Sequence, residues 1–504
     1  MDHGKLRSIV KAAFLFLLGI MLNQANVLAA EVGITTENFP DDAFRDYVQQ
    51  EFDQDRNGVL SEAEIRSVTR IVTTGNNKGE DYVATNFQGI GYFTELEDLQ
   101  IEADLLEDPE HQDFGRQLDV QLDLSWNVKL KRLVCRANVI DKLDLSVLPL
   151  LEEIRLDTGV TQKQDLSKHV NLKKVYLEYG TQFILPEHMP LLEEFGMHWD
   201  SVAQIKPPEI DFSVFQNLSK LELRGGDYSN RILTLKNMVK LKTLVLILDG
   251  NSVTVDLEGC PALERVDVVH INKLNFQGCE NIRELILNGK LPKLDVTSLV
   301  NLKTLECYQL QGSLLDLRNN KKLENARIER CGYKKILFPQ KADIQKLSLQ
   351  ENPRLKELDL RGIKIDQLKA GKNGIKSILL SKNGKYKTML VQNNRLTKLD
   401  LRGIKIDRLN ASKNQIKTVL LSRSGKYGEI LLANNRLTKL DLRGIRVKVV
   451  DAKYNKLRSL KVRGNKILRA LYCQKNKLKT LDVRKCKNLK VLVTWGNKKL
   501  KKRK

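Results

Sequence analysis

Leu358-Asp-Leu-Arg-Gly362, Leu399-Asp-Leu-Arg-Gly403 and Leu440-Asp-Leu-Arg-Gly444 are one pentapeptide written three times at intervals of 41 residues. Outward from them runs a looser pattern. It reads Ile344-x-x-Leu347-x-Leu349, Leu323-x-x-Ala326-x-Ile328, Leu302-x-x-Leu305-x-Cys307 and Ile282-x-x-Leu285-x-Leu287. Further back come Leu263-x-x-Val266-x-Val268, Leu241-x-x-Leu244-x-Leu246, Leu218-x-x-Leu221-x-Leu223, Leu172-x-x-Val175-x-Leu177, Leu151-x-x-Ile154-x-Leu156 and Leu130-x-x-Leu133-x-Cys135. Most starts lie 19 to 23 residues apart, so 41 residues is two coils of one repeating unit. A second short strand is expected midway, at Leu143-Asp-Leu145, Val255-Asp-Leu257, Leu294-Asp-Val296 and Leu315-Asp-Leu317. No single coil can bury its own apolar face, so stability must come from stacking neighbours into a continuous core. The fold expected is an α/β-type solenoid made mainly of short parallel β-strands.

Strand side chains alternate, so the outer residues of each L-x-L point inward and the middle one faces solvent. That predicts an outward row of Arg155, Tyr176, Glu222, Val245, Asp267, Ile286, Glu306, Arg327, Ser348 and Lys369. The charged and aromatic members, Arg155, Tyr176, Glu222, Asp267, Glu306 and Arg327, are candidate ligand contacts; a merely solvated strand face is the competing reading. Asn394, Asn435, Asn455 and Asn476 each stand two residues before a leucine, where a buried asparagine ladder would satisfy turn backbone. Cys135, Cys307 and Cys473 fall at inward strand positions, and Cys260, Cys279 and Cys486 at a turn position shared with Asn. Seven cysteines exclude a fully paired disulfide framework, and buried thiols pack as small hydrophobes.

Charge is distributed unevenly. The 504 residues carry a net +23, yet residues 354–504 alone hold 44 Lys+Arg against 9 Asp+Glu, leaving the first 353 net negative. The basic half ends in Lys498, Lys499, Lys501, Lys502, Arg503 and Lys504, and its loops hold Lys382, Lys385 and Lys387. Such a surface attracts polyanions in a salt-dependent manner. Without an aromatic stacking platform or a nucleic-acid motif, no specific nucleic acid is expected.

The N-terminus sets the compartment. Lys5, Arg7 and Lys11 precede an apolar run from Ala12 to Leu22, and the small residues Ala29 and Ala30 follow. This is the order of a secretory signal peptide, cleaved after Ala29 or Ala30. The run is too short to span a bilayer, which takes about 20 residues, so no transmembrane segment is expected in the mature chain.

Asp53-Gln-Asp55-Arg-Asn57-Gly58-Val59-Leu60-Ser61-Glu-Ala-Glu64 has the spacing of an EF-hand calcium loop. Calcium takes six to eight hard oxygens, which such a loop supplies by wrapping around the ion. Asp53, Asp55 and Asn57 offer side-chain oxygens, Val59 a carbonyl, Ser61 a water-mediated contact and Glu64 both carboxylate oxygens. Gly58 permits the turn between them. The flanking Asp41–Phe52 has the apolar stripe of an entering helix, with Ala43, Phe44, Tyr47, Val48 and Phe52. Ser61-x-x-Glu64 also reads as a helix capping box, which would explain those two residues without a metal. A single loop fits one structural Ca2+ better than a switch.

With its 20-residue period and this opening, the chain resembles leucine-rich-repeat proteins, which repeat every 20–29 residues. More narrowly it is similar to the secreted, internalin-like kind of Gram-positive bacteria. The match lies in Asn38-Phe-Pro-Asp-x-x-Phe44-Arg-x-Tyr-Val48, the EF-hand-like loop, and repeats alternating Leu-x-Cys with Leu-Asp-Leu. The resemblance covers about residues 31–497 and implies a leucine-rich-repeat superhelix with a small helical cap and a role in binding or adhesion. The chain departs from that pattern in lacking a C-terminal sorting signal, and in stretched spacings of up to 26 residues between 178 and 240. An insertion there is a candidate contact site.

The expected organisation is a signal peptide at 1–30, a cap at 31–90, acidic-to-mixed repeats at 91–353, basic repeats at 354–497 and a basic tail at 498–504. Nucleophile, P-loop, zinc-protease and dinucleotide patterns are absent, so no enzyme is expected. The function expected is an exported binding protein that recognises a protein or glycan on the solenoid face. The alternative is a wall-associated structural protein, held to anionic polymers by its basic half.

Overall fold

The computed structural model describes residues 31–73, 83–103, 118–178, 183–199, 210–250, 252–422, 425–498 and 500–503. The expected signal peptide and the stretch 200–209 of the widened repeats lie outside the described residues. Two compact units form: residues up to Ile210 with Val214–Gly226, and Asp211–Ser213 with Asp227–Lys504. Both are parallel β-solenoids of leucine-rich-repeat type.

The first unit opens with the cap. Helix α1, Asp42–Glu51, is N-capped by Asp41, whose Oδ1 accepts the Phe44 N–H at 2.9 Å. The other oxygen of Asp41 accepts the N–H groups of Thr85 and Asn86 at 3.0 Å, so one carboxylate caps the helix and ties it to the following chain. The helix buries Phe44 and Val48, and Phe44 meets Phe87 with ring centroids 4.9 Å apart. A second short helix, α2, spans Glu62–Ser67. Between the helices Val59–Leu60 pairs antiparallel with Val32–Gly33, and Leu60 is fully buried.

From Arg70 each coil then contributes one strand to a first parallel ladder. The register Leu133, Ile154, Val175, Phe195, Leu221 points inward, and all five residues are buried. One residue on, Val134, Arg155, Tyr176, Gly196 and Glu222 form the outward row. In the second unit the outward row is Val245, Asp267, Ile286, Glu306, Arg327, Ser348 and Lys369. One member departs from expectation: Val245 is only 7% exposed.

A second ladder runs along the opposite stretch of each coil, for example Glu357–Leu360 against Ser377–Leu380 and Lys398–Leu401 against Thr418–Leu421. Two expected members do not form strands. Leu145–Val147 is a 3-10 turn, and Leu294–Val296 takes no part in a ladder. Asp144 accepts the Ser146 N–H at 2.9 Å and Asp295 the Thr297 N–H at 3.1 Å, the same bond that Asp316 and Asp359 make from within second-ladder strands. The terminal basic residues Lys501–Arg503 form a strand paired with Thr480–Asp482.

Buried polar residues hold the turns between ladders. Asn394, Asn435, Asn455 and Asn476 are all buried, and Asn373 and Asn414 join them to make one ladder. Asn435 is representative: its Nδ2 donates to the Ala411 carbonyl of the previous coil at 2.9 Å, and its Oδ1 accepts the Ile416 N–H at 3.0 Å. All seven cysteines are free and buried. The thiols of Cys260, Cys279 and Cys486 donate to the carbonyls of Leu235, Leu257 and Val462 at 3.0, 3.1 and 3.2 Å.

Candidate functional site

Three places gather the residues singled out above. In the cap, the loop from Asp53 to Glu64 folds around its own acidic side chains. Gly58 takes φ +80°, a left-handed turn that an L side chain rarely adopts. That turn lets the Gly58 and Asn57 N–H groups donate to Asp53 at 2.9 and 3.1 Å. Asn57 Nδ2 donates to Asp55 at 2.9 Å, and Asn57 Oδ1 accepts the Val59 N–H at 2.7 Å.

Glu64 closes the loop, its two carboxylate oxygens accepting the Gln54 N–H and the Ser61 N–H, both at 2.8 Å. The Ser61 hydroxyl donates to Glu64 at 2.7 Å and accepts the Glu64 N–H in return, completing the capping box. These hydrogen bonds, the Ser61 hydroxyl first, hold the Glu64 carboxyl below its usual range. Oxygens of Asp53, Asp55 and Glu64 all lie within 4.8 Å of one another. Among the described residues no basic side chain is ion-paired with any of them. Three clustered carboxylates without a counter-charge are a hard-oxygen donor set, and the cluster could hold a metal ion. The capping box and the acidic cluster therefore coexist, with Glu64 serving both.

The second place is on the first ladder of the first unit, where a cleft of about 550 Å³ contains Arg155, Tyr176 and Glu222. Tyr176 is half-buried, its ring lying over Gly196 of the next coil, where an added Cβ would collide with the ring. The Tyr176 hydroxyl donates to Glu194 at 2.6 Å. Arg155 and Lys220 stand over the ring at 5.5 and 4.9 Å from its centroid. Burial, then the bond to Glu194, pushes the Tyr176 hydroxyl far above its ordinary pKa. Glu222 is held below its usual range by Arg224 and Lys220, against the opposing effect of burial. Opposite charges thus alternate around one aromatic face.

Gly196, Lys220 and Arg224 were not among the residues singled out from sequence, and the Glu193-Glu194 pair read there as solvated charge. The coil that carries Gly196 reads Leu192-x-x-Phe195-x-Met197, which escapes a search for repeated leucines. The signal that would have found it is register: Gly196 stands 20 residues after Tyr176, one coil on.

In the second unit, Glu306 and Arg327 line a cleft of about 490 Å³ together with Glu329, Lys346, Ser348 and Lys369. Arg327 stands 5.0 Å from the Tyr308 ring centroid, and the Tyr308 hydroxyl donates to Glu306 at 2.9 Å. Asp267 is not part of this cleft; it pairs with Arg265 at 3.2 Å. Sequence reading also missed a hollow of about 570 Å³ beside the cap, where Trp126 is 49% exposed and packs on Gly91.

The basic residues occupy the third place. Lys382, Lys385, Lys387 and Lys498 are exposed, as are Lys501, Lys502 and Arg503 in their strand; Lys499 and Lys504 lie outside the described residues. On the second ladder Arg318, Arg361, Arg402, Arg443 and Arg484 each grip the aspartate two residues earlier, with Nη2 to Oδ2 distances of 2.6–2.8 Å. Of the histidines, His169 contacts the Leu145 carbonyl at 3.0 Å and His270 that of Leu248 at 2.7 Å. No helix among the described residues is long and apolar enough to cross a membrane.

No protein-family model and no curated protein sequence matches the chain. Solved structures do align with it. The functional domain of InlJ from Listeria monocytogenes, which includes a cysteine ladder, is 21% identical, with 77% of each chain covered and a TM-score of 0.49. An internalin, inlF, from the same species is 15% identical over 60% of this chain and 93% of its own, with a TM-score of 0.43. YopM from Yersinia enterocolitica is 16% identical over 87% of this chain and 92% of its own, with a TM-score of 0.48. What the chain shares with these proteins is the leucine-rich-repeat fold.

Proposed function

We infer that the chain is an exported binding protein that recognises a protein ligand on the outward side of its first ladder, with one structural Ca2+ in the cap. The observation that supports it is the Tyr176 cleft. A tyrosine ring held flat on a glycine, ringed by Arg155, Lys220, Glu222 and Arg224, offers rigid aromatic area and charge of both signs. Tyrosine and arginine in a cleft of this kind are the side chains that dominate protein–protein binding energy. The reading is one of binding, and it rests on that aromatic area and those paired charges. Export rests on the order of charge, apolar run and small residues in 1–30. Secretion of a reporter fused to residues 1–30, with a new N-terminus after Ala29 or Ala30, would bear it out.

Calcium is favoured over other ions because every donor offered by Asp53, Asp55, Asn57, Val59, Ser61 and Glu64 is oxygen, with no thiolate or imidazole among them. Bound there, the ion would neutralise the carboxylates and lock α1 to α2.

To test the ligand face, a displayed protein library is panned against the whole chain, and each selected binder is titrated against wild type, Tyr176→Ala and Arg155→Ala. Saturable binding that persists at high salt and weakens at least tenfold in both variants is the expected result. Binders insensitive to both substitutions would sink the assignment.

A further inference from the structure

The excess positive charge of the second unit is ordered. Lys364, Lys385, Lys405, Lys426 and Arg446 open five consecutive strands of the first ladder. The strand registers place Lys385 opposite Lys405 and Lys426 opposite Arg446. The pairings Gln367 with Thr388 and Arg408 with Glu429 carry the same alignment across the intervening coils. All five side chains are exposed, and they form one column with a cation on every coil. Adjacent strands lie about 4.8 Å apart, so the column runs for about 19 Å.

Its partners within the fold are few. Asp343 stands at the start of the column, 3.7 Å from Lys364. Among the described residues, Lys385, Lys405, Lys426 and Arg446 take part in no ion pair. Two residues further along each strand the outward side chains alternate as Asp366, Lys387, Asp407, Gly428 and Lys448, a nearly neutral row. On the other side of the column the turn residues Arg361, Arg402 and Arg443 are each tied to an aspartate, whereas Lys382 is exposed with no such partner. This edge of the ladder therefore carries an unbroken column of cations of which four have no ion-pair partner among the described residues. Like charges directly opposite one another on neighbouring strands are destabilising, so the fold itself gains nothing from this alignment.

We propose that this edge is a binding track for a linear phosphate polymer laid across the coils, one anionic group per coil. Four of the five cations are lysines, which bind phosphate oxygens as point charges without demanding one fixed geometry. The aromatic residues beside the column, Tyr386 and Tyr427, are buried at 3% and 1% exposure. No ring is therefore presented for base stacking, which argues against single-stranded nucleic acid as the occupant. The track belongs to the second unit and the Tyr176 cleft to the first, and the test of the track does not depend on the ligand of that cleft.

The test uses the full chain and fluorescein-labelled polyphosphate long enough to span the roughly 19 Å column. Affinity is measured across a salt titration for wild type, for Lys385→Gln/Lys405→Gln/Lys426→Gln, and for Lys417→Gln/Lys456→Gln/Lys477→Gln. The last carries the same charge change in exposed turns elsewhere on the unit, and thermal melts of all three establish equal folding. The column variant is expected to lose at least tenfold in affinity and to flatten the salt slope by about 2, since each lost contact removes about 0.7. The control is expected to change by less than threefold. Equal losses in both variants would reduce the effect to net charge and overturn the proposal. So would tripolyphosphate binding as tightly as the long chain, or tighter binding of oligothymidylate or a sulfated polysaccharide.

Discussion

At the scale of single residues, Glu64 belongs both to the capping box and to the acidic cluster, and one substitution separates the two. Glutamine at this place keeps a capping box but loses the charge, so Glu64→Gln should leave α2 capped and remove calcium binding. A calorimetric titration should lose its calcium isotherm, and the melting temperature should no longer rise when calcium is added. A wild-type isotherm in the variant would end the metal reading. The same carboxyl makes a pH prediction. Its pKa is lowered in the folded chain from an ordinary 4.5. Its contribution is therefore fully present above that value and is lost as pH falls through the folded pKa. The difference in melting temperature between wild type and Glu64→Gln, measured without calcium, should shrink on acidification from about pH 6 to pH 3.

Gly196 is the other residue whose identity is dictated by contact. Gly196→Val places a branched side chain where the Tyr176 ring now lies. Overpacking of this kind costs about 1–3 kcal/mol, which would appear as a lower urea midpoint at unchanged slope. A variant with the wild-type midpoint would mean that the ring is not seated on the glycine.

At the scale of the repeating element, two sets of buried asparagines look alike in sequence but differ in what they must supply. Asn320 donates to the Val296 and Leu299 carbonyls at 2.9 and 2.7 Å, while its Oδ1 has no partner. Only a donor is used, which explains why Cys260, Cys279 and Cys486 can stand at the same turn and donate through sulfur. Asn435 uses both ends, giving hydrogen bonds through Nδ2 and receiving the Ile416 N–H. Replacing Asn435 by either Ala or Cys should therefore cost about 2–4 kcal/mol, because a buried N–H and carbonyls are left unpaired. Asn320→Cys should cost clearly less than Asn320→Ala. Chemical denaturation of the four variants is the check, and equal losses for Cys and Ala at position 320 would remove the explanation of the mixed Asn/Cys turn.

At the scale of the whole molecule, the imbalance of charge should be visible in stability. Like charges crowded along the basic repeats repel, and salt screens them. The unfolding midpoint of the second unit should rise between about 20 and 300 mM salt, followed by calorimetry; a falling midpoint would show that ion pairs dominate instead. The aspartates gripped by Arg361, Arg402, Arg443 and Arg484 add an acid limit. All four are held below the ordinary 3.8, Asp482 down to about 2. Their contribution holds above the ordinary value and is lost as pH falls toward the folded pKa, so acid should weaken this unit between about pH 4 and pH 2. Each pair is exposed and small, and the effect should be read as the sum over the row.

Much of this architecture is legible in the sequence because it is periodic. Leucine spacing fixes which residues face inward, and strand alternation then fixes the outward row, so Arg155, Tyr176, Glu306 and Arg327 could be placed without coordinates. The acidic cluster of Asp53, Asp55 and Glu64 was legible for a similar reason, since its members are local in the chain. Other features depend on residues from different coils meeting. Leu143–Leu145 and Leu294–Val296 carry strand-like sequence, yet neither takes a place in the second ladder. The seat of Tyr176 on Gly196, the burial of Val245 and the alignment of Lys364 with Arg446 follow from register, a property of neighbouring coils and not of any one segment. Sequence alone determined the coil and its inward face, because burial is specified residue by residue. Only the tertiary structure decided which outward side chains become neighbours, because a shift of one residue between coils would change every lateral pair.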